Sequence, residues 1–386
     1  KNGSWKPGTW RVYADGRPAA QAELAKRRGD VAAEFRTRFF PMLERCRAWT
    51  DAGLRCRIVR SLVDLFPDDE ALREMHGETL VGGKWLLRES VATSAARERT
   101  KAAAAAARAD AAKSARTSEP NLDNWPNVVR AGGLSVFSEL SLDDTQTIVT
   151  NALAGRALVS KTFDVDARFP RELKLYVFRD AAANTRFLAA QSDVQPDARE
   201  RFGHMASYWL RSYECCEVRL DPVVMFDSAT RQMIASLAVG GLQFFEAPPW
   251  FAEGAGMYLV YALLGTRRTA MISTGSYAED WIGRDVAAAD ADWVAVARKM
   301  IDKGHALDVR LLIGLPINSM TKEDGLLAYA LSAYMLEGRG KDAAAFLGAL
   351  AQKGTNVHRA LAESCGLDAD ELQQRFVRWL HEAPAK

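Results

Sequence analysis

Histidine is what this chain has least of where it would matter most: five in 386 residues, and none in the apolar stretch from Ser228 to Phe245. A metal site built from paired imidazoles is therefore excluded there. Cysteine is equally sparse. Cys46, Cys56, Cys215, Cys216 and Cys365 form an odd set without CxxC, CxxCH or a Cys/His spacing that suits zinc, which excludes zinc ribbons and c-type haem attachment. Neighbours such as Cys215 and Cys216 rarely bond to each other. Cys46 and Cys56, across a helical turn, are the one pair to consider for a disulfide, and the rest read as free, buried thiols. No apolar run reaches the roughly 20 residues a bilayer demands. The longest, Gly325 to Leu336, lies between charged flanks and reads as a core helix. Charge of one sign is also missing: the formal net charge is +2, with a basic excess before Pro120 and a mildly acidic remainder. The clusters Lys26-Arg27-Arg28 and Arg267-Arg268 lack interleaved aromatics, so they read as solvated faces and no nucleic-acid partner is implied.

What is present reads as a folded chain of two or three domains. Between Ala19 and Phe66, Val31, Phe35, Phe39, Phe40 and Leu43, then Leu54, Ile58, Val59, Leu62 and Val63, recur at helical spacing around Asp51-Ala-Gly, which predicts a helical hairpin. ETLVGGKWLL predicts a small β-hairpin turning at Gly82-Gly83. Residues 1–88 thus form one module. Residues 89–119 are alanine-rich without a strong apolar face and predict a solvated helical linker, with a disordered linker as the alternative reading, ending in the loop-like SEPNLDNWPN. In the next unit, 120–265, LSVFSEL reads as a strand and Asp143 as the cap of a helix through Ile148, Leu153 and Leu158. ELKLYVF is a second strand, Ala181 to Ala190 a helix, and His204 to Leu220 a strand-rich stretch. DSATRQMIASLAVGGL then reads as a helix. The last unit, 266–386, is helical.

One segment has a chemical signature. PPWFAEGAGMY, Pro248 to Tyr258, matches the pattern P-x-W-x-x-E-G-x-A-x-Y of peptidase MA-like proteins, a branch of the gluzincin zinc peptidases. GLLAYALSAYMLEGRGKDAAAFLGAL and ALAESCGLDADELQQRFVRWL resemble that family's later helices, so the resemblance covers about Pro120 to Leu380. It implies an α+β fold, with a small mixed sheet and an active-site helix followed by a helical C-terminal subdomain, here preceded by the α-helical hairpin module. It also implies that Glu253 occupies the place of the third zinc ligand. The family's HExxH helix should precede it, with two histidines at i and i+4 holding zinc and a glutamate activating water. In this chain those histidine positions fall on Arg231 and Ala235, with Gln232 in place of the general base, or on Ala235 and Val239, with Ser236 in its place. Neither register supplies an imidazole.

Two functional readings follow. The first is a pseudopeptidase without metal or other cofactor, kept as a binding or structural module for a protein or peptide partner. In it Glu253 is a relic, and Arg231 takes the vacated metal position. The second is a divergent hydrolase with a rebuilt site, to which His204, His305 or His358 would have to fold in. Trp250, Phe251 and Tyr258 either line a peptide groove or belong to the core. Ser236 has no His and Asp at a recognisable triad spacing. Glu279-Asp280 and the Asp285 to Trp293 stretch lack the calcium-loop pattern and read as a solvated loop with a helix cap. No signal peptide is read at Lys1; a Lys in first position suits a processed start, and the resemblance implies an exported or envelope-associated bacterial protein.

Overall fold

The computed structural model describes residues 52–384, apart from 171, 220–221, 240, 268–280, 288–290 and 353–354, together with scattered positions between 22 and 41. Phe39, Phe40, Leu43, the turn at Asp51 and Cys46 lie outside the described residues, as do Arg28, Arg268 and Glu279-Asp280; Cys56 carries a free thiol, so the disulfide considered for it is not formed. Helix α1 (Ala52–Leu65) forms as its spacing predicts, and α2 (Glu70–Met75) follows, its first turn capped by Asp69. Val59, Leu62, Val63 and Leu72 make a small core of their own, against which Phe35 and Phe66 pack. Strands β1 (Glu78–Val81) and β2 (Lys84–Leu87) pair antiparallel. Gly82 and Gly83 turn between them at φ of 57° and 80°, a combination that glycine adopts at little cost.

Helix α3 (Arg88–Ala112) is the long helix that alanine favours. It is not a solvated linker, however, because Ala104, Ala107 and Ala111 are buried in the main core. Its N-terminus is closed from the other end of the chain: the Glu382 carboxylate accepts from the backbone N–H of Leu87 and from Ser90 Oγ, both at 2.9 Å. A negative group there complements the helix dipole. The stretch after it corrects a second expectation. SEPNLDNWPN is not a loop but the hairpin of β3 (Thr117–Leu122) and β4 (Trp125–Ala131), with Asp123 and Asn124 at positive φ in its turn. Pro120 is tolerated because β3 is an edge strand.

The chain is an α+β protein with a six-stranded mixed sheet in the order β3-β4-β5-β6-β8-β7. Here β5 is Leu134–Ser138, β6 Leu173–Phe178, β7 Ser207–Arg211 and β8 Glu214–Val218. β5, β6 and β8 run parallel, while β4 and β7 flank them antiparallel. Helix α4 (Leu142–Phe163) makes the crossover from β5 to β6; its cap is Ser141, which accepts from the Asp144 N–H, and Asp143 sits in the first turn instead. Strand alternation sorts the two faces. Leu173, Leu175, Val177 and Cys215 enter the main core with α4. Phe178, Cys216 and Val218 face the other way, towards α5 (Ala181–Ala189) and α6 (Pro196–Gly203). Cys215 and Cys216 therefore point to opposite sides of one strand, and both are free, as are Cys56 and Cys365.

The helix read from DSATRQMIASLAVGGL is α7 (Pro222–Ala235). It starts earlier than the sequence suggests and stops at Ala235, since Ala238–Val239 already pairs as a strand with Leu242–Gln243. Helix α8 (Pro249–Leu264) then begins on Pro249 at N1, where the missing N–H costs nothing. Beyond it come α9 (Trp281–Ala287), α10 (Trp293–Asp302), α11 (Val309–Gly314) and α12 (Lys322–Ala333), which runs on as a π-helical turn, Tyr334–Gly338. Then follow α13 (Gly340–Leu350), α14 (Val357–Cys365) and α15 (Ala369–Glu382). One contiguous core runs from Leu87 to Ala383. No helix of the described residues is long and apolar enough to cross a membrane.

Helices α8 and α12 meet in backbone contact at Gly254. A Cβ added there would stand 2.1 Å from the carbonyl oxygen of Ala328 and 2.4 Å from Ser332 Oγ, so no side chain fits without separating the helices. Gly254→Ala is expected to cost about 3 kcal/mol or more through overpacking. Gly256→Ala, whose Cβ would meet Arg231 Cγ at 3.5 Å, should cost far less. Denaturant midpoints of the two variants check this; equal midpoints would contradict the crossing.

Candidate functional site

Helices α7 and α8 pack face to face and bring Arg231 onto Glu253. One guanidinium nitrogen, Nη1, donates to both carboxylate oxygens, at 2.7 Å to Oε1 and 2.6 Å to Oε2. The two side chains are 20% and 15% exposed, so the pair sits in a recess with limited water. Gly256, one turn beyond Glu253, leaves room for the aliphatic stem of Arg231. Because α7 ends at Ala235, only the register with Arg231 and Ala235 lies on one helical face. Val239 is in a strand, and the second register is excluded.

Behind the pair lies a group the sequence reading missed. Glu217 of β8 is 1% exposed, and burial holds its carboxyl well above the usual carboxylate range, against a hydrogen bond with Ser228 and the charge of Arg231. Its Oε2 and the Nε of Arg231 are both buried without a hydrogen-bond partner. The signal was present in CCEVRL: period-2 alternation places residue 217 on the same inward face as Cys215. Thr266 Oγ1 donates to Asp227 at 2.8 Å and ties the end of α8 to the start of α7.

The remaining candidates are turned to other tasks. Gln232 donates from Nε2 to the Tyr208 carbonyl at 3.0 Å, which fastens α7 to β7. Trp250 and Phe251 are core, not groove: Trp250 packs on Phe251 and on Phe346 of α13. Tyr258 is core as well, and its hydroxyl bonds to Thr100 and Glu337. Ser236, just past the end of α7, donates from Oγ to the Gln232 carbonyl at 2.7 Å. His204, His305 and His358 are exposed. Among the described residues no group of three or more His, Cys, Asp and Glu is placed to hold a metal ion. Asp285 pairs with Lys299, and Asp292 caps α10.

Arg267 overturns its reading as part of a solvated basic face. It is 4% exposed, and its guanidinium lies 3.9 Å from the Tyr261 ring centre, 4.5 Å from Trp293 and 5.0 Å from Tyr329. Its Nη2 also donates to the Ala291 carbonyl. Cation–π attraction offsets part of the desolvation of this charge.

Comparison of the chain with protein-family models, with curated proteins and with solved structures finds no match in any of the three.

Removing the cation while leaving the carboxylate should be more damaging than removing both. Arg231→Met is expected to lower stability by about 2 kcal/mol, and Arg231→Met with Glu253→Gln to recover most of that, as read from urea denaturation. Glu217 sets a pH dependence of opposite sense to an ordinary paired carboxylate. Its unfolded form titrates near pH ~4.3, and the folded form titrates higher. Over that interval the native state holds the extra proton, so stability falls as pH rises. Glu217→Gln should flatten the fall and unfold at higher urea than wild type at about pH 8. Parallel pH profiles for the two proteins would show that the buried carboxyl is not protonated.

Proposed function

We propose that the protein is a pseudopeptidase: a peptidase MA-like, gluzincin-type scaffold in which an arginine stands where the zinc would be, kept as a binding or structural module for a protein or peptide partner. The observation that carries this reading is the Arg231–Glu253 pair. Glu253 lies in the segment that resembles the third-ligand motif, and Arg231 lies at the first of the two histidine positions on the preceding helix. A cation fixed on that carboxylate neutralises it as a metal would, but it cannot lower the pKa of a water or polarise a carbonyl as a Lewis acid. The half-buried face shared by Arg231 and Ala235 is where two imidazoles would project in a catalytic relative. Gln232 in the general-base position carries an amide, which cannot accept a proton at neutral pH as a carboxylate does.

Rebuilding the lost ligands tests this directly. The variant Arg231→His, Gln232→Glu, Ala235→His should retain about one zinc per chain after dialysis, and Glu253→Gln added to it should abolish retention, both measured by elemental analysis. Failure of the rebuilt variant to hold zinc would count against the gluzincin-type arrangement. Stoichiometric metal in the wild-type protein, lost to a chelator together with a hydrolytic activity, would favour the divergent hydrolase instead.

A further inference from the structure

Between the N-terminal module and the C-terminal helices lies a cavity of about 770 Å³, walled by α1, α2, the first residue of α3 and the α14–α15 turn. That is within the roughly 300–1,000 Å³ that small-molecule sites occupy. Four arginines line it, Arg55, Arg88, Arg339 and Arg375, against the single carboxylate of Glu74. We infer that this cavity binds a small molecule bearing a phosphate or carboxylate group, gripped by Arg55 and Arg88.

The four guanidiniums are not equivalent. Arg339 is held by Glu89 and Asp342, each at 2.6 Å. Arg375 is held by Glu371 at 2.9 Å and by the same Glu89 at 3.0 Å. These two are largely buried and fixed, and their charge is balanced within the wall by Glu89, Asp342 and Glu371. Arg55 has no ion pair among the described residues, and Arg88 donates only to the Glu74 carbonyl, at 3.1 Å. The Arg55 fork and the rest of the Arg88 fork thus carry no ion pair at the cavity, and their planar donors match the oxygens of a carboxylate or phosphate.

The backbone around the cavity does not oppose an anion. Helix α14 ends there, and free carbonyls would favour a cation, but those of Cys365 and Gly366 are already taken: Arg339 donates to the first at 2.7 Å and the Cys56 thiol to the second at 3.3 Å. Glycine keeps the lumen open at two positions of positive φ. A Cβ on Gly77 would press on Arg375 at 3.1 Å, and one on Gly366 would meet Arg55 at 3.5 Å.

Isothermal titration of the full chain with inorganic phosphate, and separately with citrate, tests the inference. At least one anion should bind one to one, more weakly as sodium chloride is raised. Arg55→Ala and Arg88→Ala should each weaken binding roughly tenfold or more while leaving the ligand-free melting temperature unchanged. The exposed Arg186→Ala, on α5, should bind as wild type does. Should either alanine variant fold poorly, Arg55→Gln and Arg88→Gln, which keep the stem, are to show the same loss. Binding of phosphate alone identifies a phosphorylated ligand, and binding of citrate alone a polycarboxylate. Absence of binding for both anions at about 10 mM, or affinities in the Arg55 and Arg88 variants equal to wild type, would overturn the inference.

Discussion

Helix α8 can run in backbone contact with α12 only because residue 254 has no side chain, and that crossing sets where its neighbour Glu253 must stand. Turned away from α12, the carboxylate meets α7, where Arg231 reaches it with one nitrogen on both oxygens. A lone carboxylate with this little exposure would be costly, and a lone arginine equally so. Each makes the other tolerable. Behind the pair, burial holds the Glu217 carboxyl well above the usual carboxylate range, and the charge of Arg231 works against that shift.

The same economy governs the seam between the N-terminal module and the body. His76 bonds to Glu78 at 2.8 Å and lies 3.4 Å from Glu371. Burial works against its protonation, but hydrogen bonds with Glu371 and Glu78 outweigh it and raise the imidazole above its ordinary range. Glu371 in turn is brought down to about 2, because His76 and Arg375 overcome the upward push of burial. Arg378 and Arg73 close the other side of Glu78, each at 2.6 Å. Charges desolvated together in this way hold only when every partner is present. The seam therefore specifies how the module docks, and it leaves Arg55 and Arg88 at its edge.

Much of the fold was legible. Alternation marked β5 and β6, glycine marked the β1–β2 turn, and 3.6-residue spacing marked the C-terminal helices. Three misreadings share a cause, namely that a local pattern cannot report what lies across from it. Alanine gives α3 no amphipathic contrast, yet its small side chains are what let α4 and α8 approach. Pro120 and Asn121 read as turn formers, but sheet pairing with β4 overrides them on an edge strand, and only Asp123 and Asn124 make the turn. Arg267 carries the charge of a surface residue and is buried because three aromatic rings from α8, α10 and α12 converge on it.

The candidate site divides the same way. Sequence alone determined that α7 carries no imidazole and that Glu253 follows the Pro-Pro-Trp turn, because residue identity and spacing along one chain suffice for both. Only the tertiary structure decided that α7 ends at Ala235, that Arg231 spans to Glu253, and that Glu217 lies buried beside them. An ionisable group's state depends on its distance to other charges and to water. Those distances are set by elements far apart in the chain that meet only when it folds.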